Sequence, residues 1–309
     1  MKKLETLIKN KTAKISIIGL GYVGLPLAIK FSSLGFEVYG FEKDQNKIRD
    51  LNKNKIYVDT IKKDDFIKVK NKKFKYTSNK AILLKCDIHI ICVPTPITQN
   101  KSPDMTYLND SRDLINELNL KNKAIILEST TYPGTTEELF LPLFEKKKLT
   151  IGKDVALIYS PERIDPGNKE FSVENTPKII SGYTKNCLKI AENIYNNITQ
   201  IVPVTSIKTA EFTKLLENVY RSINIGFVNE MKMISEKLEI DIFEVINAAK
   251  TKPFGYVPFY PGPGLGGHCI PVDPYLLSWK AKELDINTRF IELSGEINNY
   301  MPEYVVTKI

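Results

Sequence analysis

One thiol in this chain stands in an unusual setting. Cys269 lies within "GPGLGGHCIPVDP", residues 262–274, between a glycine run and two prolines, with Asp273 four residues further on. Three chemistries use a cysteine so placed: metal ligation, half of a disulfide, or nucleophilic attack. The remaining cysteines, Cys86, Cys92 and Cys187, share no CxxC spacing with it, and there are only two histidines, His89 and His268. A structural zinc site takes four such ligands in close pairs, which this set does not readily supply. A thiol in the cytoplasm stays reduced, so the disulfide recedes as well. Two further residues with chemical capacity, Lys214 and Asn218, are four apart in a helical pattern and so share one face. Lys214 stands beside Leu215 and Leu216, where burial is expected, and is read as functional rather than solvated.

A second constellation lies near the N-terminus. The β-branched run "KISII" (14–18) is followed at once by Gly19-x-Gly21-x-x-Gly24, which opens an apolar-periodic helix closing at Gly35. The next apolar run, "EVYGF", ends in Glu42, 18 residues beyond Gly24. Strand, glycine fingerprint, helix, strand and terminal acid in that order indicate a dinucleotide site. The glycines let the backbone approach a pyrophosphate at a helix N-terminus, where the dipole and free N–H groups favour anions. Glu42 is placed to accept ribose hydroxyls and to repel a 2′-phosphate, which points to NAD rather than NADP.

Elements must position these residues. Strand and helix alternate through "DIHIICVPTP" (87–96), a helix near 106–118, "KAIILEST" (123–130), a helix after Pro133-Gly134, and "DVALIYSPE" (154–162). That alternation predicts an α/β fold with a Rossmann-like, doubly wound parallel sheet, whose ligands sit at the carboxyl ends of the strands. Those ends carry Thr95, Ser129-Thr130-Thr131 and Glu162-Arg163, whereas His89 lies inside a strand and reads as a core residue. After a helix near 185–196, residues 207–238 keep helical periodicity without a break and predict one long spine. The expected domains are 1–203, binding dinucleotide, and 204–309, a helical dimerisation domain with the cysteine loop. The Pro-, Gly- and aromatic-rich stretch 250–274 reads as a structured functional loop, with helices at 274–284 and from 288 on.

Composition narrows the class. The 309 residues are 42% hydrophobic and 26% charged, as in ordinary globular proteins. The net charge of +8 comes mostly from scattered lysines, since only five of the 44 basic residues are arginine. No basic helix or aromatic-interleaved platform suggests nucleic acid. The run 62–75 reads as a solvated surface with an edge strand. No apolar run is long enough for a bilayer, and the basic start lacks a signal peptide's apolar region. No metal, nucleic-acid or membrane partner is expected, and the location is read as cytoplasmic.

The motifs "IGLGYVGLPLA", "CVPTPIT", "YSPERIDPGN", "KLLENVYRSINIGFVNE" and "GPGLGGHCIPVDP" together resemble the UDP-glucose/GDP-mannose dehydrogenase family of nucleotide-sugar 6-dehydrogenases. They are most similar to the branch acting on UDP-N-acetylhexosamines, with UDP-N-acetylglucosamine the first choice of substrate. The resemblance implies oxidation of a sugar C6 alcohol to a carboxylate with two NAD, Cys269 adding to the intermediate aldehyde. It implies that Lys214 and Asn218 hold the C6 oxygen, that Asp273 and Thr131 position water, and that Glu162 is the general base. It places Gly19, Gly21, Tyr22, Val23, Gly24, Glu42, Lys47, Thr95 and Thr130 around NAD. Arg163, Tyr260, Gly264, Gly266 and His268, with Glu162, Lys214 and Asn218, fall to the substrate.

Two local departures from UDP-glucose enzymes bear on that choice: "GGHCIPVD" with "PERIDPG", and Pro253 where those enzymes carry a clamping arginine. Family members continue into a UDP-binding domain after this point, so the 309 residues are expected to bind NAD but to turn over substrate poorly alone. A NAD-binding, dimerising remnant is the alternative from another class; UDP-glucose and UDP-N-acetylmannosamine are the alternative substrates. A β-hydroxyacid dehydrogenase shares the lysine–asparagine pair but has no use for Cys269. Helix 207–238 is expected to pair with its twin in a homodimer.

Overall fold

The computed structural model describes residues 1–70, 72–163, 175–267 and 269–308. It divides into two compact units, one of Met1–Thr95 with Asp104–Lys214, the other of Pro96–Pro103 with the chain from Leu215 on.

In the first unit, strands β1 (Lys14–Ile18), β2 (Glu37–Phe41), β3 (Phe74–Thr77), β4 (Ile88–Ile91), β5 (Lys123–Leu127), β6 (Val155–Tyr159), β7 (Lys178–Gly182) and β8 (Ile201–Pro203) form one sheet. Its order is β3-β2-β1-β4-β5-β6-β7-β8. Helix α1 (Lys2–Lys9) precedes β1, and between the strands run α2 (Gly24–Ser33), α3 (Gln45–Asn52), α4 (Lys63–Val69), α5 (Thr106–Asn116), α6 (Thr135–Lys146) and α7 (Lys185–Tyr195). Side chains alternate across the pleat into two cores, as a sheet covered on both faces requires. Ile15, Ile17, Ala124, Ile126 and Ile158 join one with Leu4, Phe31 and Ile190, while Ile18, Ile125, Leu127 and Leu157 join the other with Ile115 and Phe140.

The Rossmann-like order is as expected, and β1 and β4 lie side by side at the point where the winding reverses. The predicted strands from β1 to β6 pair parallel, and beyond them β7 pairs antiparallel with β6 through Ile158↔Gly182 and Tyr159↔Ser181, with β8 then parallel to β7. The strands are also shorter than their apolar runs. β4 stops at Ile91 where Pro94 and Pro96 approach, because proline supplies no ladder N–H. The stretch 62–75 is more than surface, since α4 buries Phe66 and β3, at the sheet edge, buries Phe74. His89 is buried within β4.

Helix α8 (Ile207–Lys237) is one helix of 31 residues that starts in the first unit and continues in the second. The second unit adds α9 (Ile242–Ala249), α10 (Asp273–Lys282) and α11 (Arg289–Val306). One small buried cluster in it is Val228, Ile242 and Ile246. Among the described residues no helix is long and apolar enough to cross a membrane.

Candidate functional site

In the first unit the fingerprint turns at the carboxyl end of β1. Gly19 has φ +91°, and a side chain there would meet the Cys92 carbonyl oxygen at 2.8 Å. Gly24 is pressed harder still, for its Cβ would fall 1.9 Å from the Gly19 carbonyl oxygen. Gly21 faces open space, with nothing within 4 Å. Tyr22 is exposed, Val23 packs against the core, and no side chain caps the start of α2. The Glu42 carboxylate, buried at the end of β2, accepts the Leu20 N–H and the Asp44 N–H, each at 3.0 Å. Lys47 Nζ stands 3.5 Å from the same carboxylate. The Tyr57 hydroxyl donates to the Leu20 carbonyl at 2.7 Å, so both peptide units flanking Leu20 are held.

At the other strand ends, the Thr95 hydroxyl donates to the Thr130 carbonyl. Thr131 is buried, and its hydroxyl has no hydrogen-bond partner among the described residues. Glu162 accepts the Arg163 N–H at 2.7 Å and lies 3.5 Å from Lys178 Nζ, while Arg163 Nη1 donates to the Pro177 carbonyl at 2.7 Å. Lys214 is buried on α8 as its leucine neighbour suggested, though Leu216 itself is exposed.

In the second unit Asn218, one turn beyond Lys214, is buried, and its Nδ2 donates to Asp273 Oδ2 at 2.5 Å. Asp273 opens α10, and its N–H donates to the Cys269 carbonyl at 2.8 Å, with the Val272 N–H on the same oxygen at 3.1 Å. The sharp bend before the cysteine is made by Gly266 and Gly267, at φ +64° and +69°, a region L-residues rarely enter. Cys269 is exposed, whereas Cys86, Cys92 and Cys187 are buried, and none of the four is in a disulfide. Gly264 packs near Asn298 and Pro302 of α11. Tyr260 stacks on Phe243 of α9 at 6.4 Å. His268 and the "IDPGN" part of the 159–168 motif fall outside the described residues.

Comparison with known proteins decides what this arrangement belongs to. Residues 13–199 match the UDP-glucose/GDP-mannose dehydrogenase family, NAD binding domain, and residues 208–300 match the central domain of the same family. The chain belongs to the UDP-glucose/GDP-mannose dehydrogenase family. It is 38% identical to the UDP-N-acetyl-D-glucosamine 6-dehydrogenase of Pseudomonas aeruginosa over 97% of this chain and 70% of that protein. It is 38% identical to protein CapL of Staphylococcus aureus over 96% of this chain and 69% of that one. The solved UDP-D-ManNAc dehydrogenase of Pyrococcus horikoshii superposes with a TM-score of 0.88 at 32% identity, covering 95% of this chain and 70% of that one.

The residues present fit the NAD of this family's N-terminal domain. The open space at Gly21 and the close approach of Gly24 to Gly19 form a cradle that a Cβ would fill, at an uncapped helix start. The Glu42 oxygen that accepts the Asp44 N–H retains a lone pair for a ribose hydroxyl, while the other oxygen accepts from Leu20 and Lys47.

Sequence reasoning missed several residues that support these sites. Asn229 takes the Gly262 N–H at 3.0 Å and donates to Asn298 at 3.0 Å, tying the glycine loop to α8 and α11. Glu211 of α8 accepts the Gly134 N–H at 2.6 Å, and the Thr136 N–H and hydroxyl at 2.9 and 2.6 Å, fixing the turn that follows Thr130-Thr131. A glutamate near a helix start reads as solvated; only its packing on the turn before α6 reveals it as a buried clamp. Burial pushes its carboxyl up from 4.5 to about 7, against the lowering effect of the Thr136 and Gly134 donors. The folded protein therefore binds a proton that the unfolded chain releases between pH 4.5 and 7, so this group's contribution falls as pH rises through that window. Relative to E211Q, the wild type should lose about 3 kcal/mol of stability across it, readable as melting temperatures at stepped pH. Parallel melting curves for the two proteins would refute the assignment.

Proposed function

We propose that the protein oxidises the C6 alcohol of a UDP-N-acetylhexosamine, first of all UDP-N-acetylglucosamine, to the uronic acid in two two-electron steps. The observation that carries this is the exposed Cys269, tied through its carbonyl to Asp273 and through Asp273 to Asn218. It occurs in a chain 38% identical to a UDP-N-acetyl-D-glucosamine 6-dehydrogenase. Bound NAD supplies the hydride acceptor for each oxidation. Lys214 and Asn218 hold the C6 oxygen as negative charge develops on it. The Cys269 thiolate adds to the C6 aldehyde and gives a thiohemiacetal, which can release the C–H hydride that a bare aldehyde cannot. Loss of that hydride leaves a thioester. Glu162 then takes a proton from water placed by Thr131 and Asp273, hydroxide attacks the acyl carbon, and the thiolate departs, leaving the carboxylate. The orphaned Thr131 hydroxyl supports a water or substrate partner at that point. On this reading residues 1–203 form the cofactor domain and 204–309 the domain bearing the cysteine. Arg163, Tyr260, Gly264, Gly266 and His268 remain assigned to substrate.

The test is NADH formation with UDP-N-acetylglucosamine, UDP-N-acetylmannosamine and UDP-glucose in parallel. The expected order puts an N-acetylhexosamine first by kcat/KM. A tenfold preference for UDP-glucose would overturn the N-acetylhexosamine reading. UDP-N-acetylmannosamine is the second candidate, favoured by the fit to the Pyrococcus horikoshii enzyme.

The homodimer is part of the same proposal. Leu216, Tyr220, Phe227, Ile234 and Leu238 leave apolar side chains exposed along and just beyond α8. Such a face on a helix that long is stable when covered, and a twofold pairing covers it with itself. Sedimentation at micromolar concentration should give twice the 35.2 kDa chain mass. A monomer would remove this surface from the account.

A further inference from the structure

A buried lysine lies against Glu162 and has no part in the steps above. Lys178 is the first residue of β7 and its side chain is only 5% exposed. Its ammonium stands 2.9 Å from Glu128 Oε2 and 3.5 Å from Glu162 Oε2, and it donates to the Pro161 carbonyl at 3.4 Å. Glu128, just past β5, is completely buried, and its other oxygen accepts the Tyr195 hydroxyl of α7. The antiparallel turn of β7 creates this cluster. Glu128 and Glu162 follow the carboxyl ends of β5 and β6, and because β7 runs the other way its first residue arrives at the same edge. In a wholly parallel sheet Lys178 would begin its strand at the opposite edge.

A buried ammonium persists only where carboxylates and hydrogen bonds replace its water. Burial opposes the charge of Lys178, yet Glu128 and Glu162 hold it above the usual lysine range. Cys92, which faces the same cluster, is pushed up by burial and by Glu128 and so adds no charge. Glu128 is doubly fixed, by Lys178 and by Tyr195, while Glu162 keeps 16% of its side chain exposed. The anchored end of the cluster is therefore Glu128, and the end that meets solvent is Glu162. Arg163, the neighbouring cation, directs a guanidinium nitrogen to the Pro177 carbonyl.

We propose that Lys178 is a positioning residue for Glu162: held from behind by Glu128 and Tyr195, its ammonium fixes the Glu162 carboxylate in place and in ionised form, ready to accept a proton. The consequence for turnover rests on the reading of Glu162 as the base of thioester hydrolysis; the electrostatic pairing does not.

The test is a carboxyl-carbon NMR titration of the 309-residue chain labelled at glutamate, with the Glu162 signal assigned by its loss in E162Q. K178M alone would strand Glu128 as a buried charge, so the neutral variant is K178M/E128Q, with K178R as the charge-conserving control. An opposite charge within about 4–6 Å moves a carboxylate by about 1–3 pH units. The Glu162 midpoint should therefore rise in the double variant, by less than that because E128Q also removes a neighbouring negative charge that opposes its ionisation, and stay near wild type in K178R. A double variant that melts cooperatively with an unmoved midpoint overturns the proposal, as does a K178R midpoint that moves as far as the neutral variant's. If the double variant fails to fold, K178Q/E128Q takes its place under the same criterion. In turnover, the acid limb of the kcat–pH profile should follow the midpoint while KM for NAD stays constant. A midpoint that moves while the limb does not upholds the positioning by Lys178 and removes Glu162 from the base role.

Discussion

Gly24→Ala should collapse both NAD binding and stability, whereas Gly21→Ala should lose NAD binding alone. The two glycines belong to one fingerprint, but they meet different neighbours. A Cβ on Gly24 would sit 1.9 Å from a backbone carbonyl oxygen, and backbone cannot swing aside as the tip of a side chain can. Helix α2 must then shift away from β1, at a cost of about 1–3 kcal/mol or more. A Cβ on Gly21 meets nothing within 4 Å of the protein, so the fold should tolerate it. The same methyl would occupy the space through which a pyrophosphate approaches the helix N-terminus. Calorimetric NAD titration beside thermal melts separates the two effects. Expected are a lowered melting temperature for Gly24→Ala only, and an NAD affinity at least about tenfold weaker for both. Unchanged NAD affinity in Gly21→Ala would mean that the cofactor does not approach where the cradle opens.

Cys269→Ala is expected to slow formation of the uronic acid at least about a thousandfold, a barrier increase of about 4 kcal/mol. The cause is specific to the second oxidation. The aldehyde cannot surrender a hydride until something adds to its carbon, and water in an unpositioned hydrate is a poor substitute for an oriented thiolate. The loop around Cys269 should survive the change, because the residue is held through its carbonyl by the Val272 and Asp273 N–H groups and its side chain is exposed. NAD affinity should stay within about twofold of wild type, so the loss is one of chemistry rather than of cofactor.

Why some of this was legible beforehand and some was not follows from the physics of each element. The fingerprint was readable because glycine is demanded by backbone approach, a constraint written into consecutive residues. Helix α8 was readable because 31 residues of unbroken periodicity admit little else. The direction of β7 was not, since "KIISG" is an apolar run that fits a sheet either way round. That reversal hid the Glu128–Lys178–Glu162 cluster, whose members are 50 and 16 residues apart and meet only through the strand order. Glu211 was hidden because its donors are remote in sequence, the Gly134 N–H that it accepts being 77 residues away. Asp273 and Asn218 were each singled out, yet their direct hydrogen bond across 55 residues is a matter of packing, not of motif.

The central claim is that one thiol carries the sugar from the aldehyde to the acid level. The measurement that addresses it most directly is the number of NADH formed per nucleotide sugar consumed, with wild type and Cys269→Ser side by side. The wild type should form two. The serine variant should form one or fewer per sugar and stall at the aldehyde level, because a serine hydroxyl adds to the aldehyde less readily than a thiolate does. Two NADH per sugar at wild-type rate from Cys269→Ser would contradict the account.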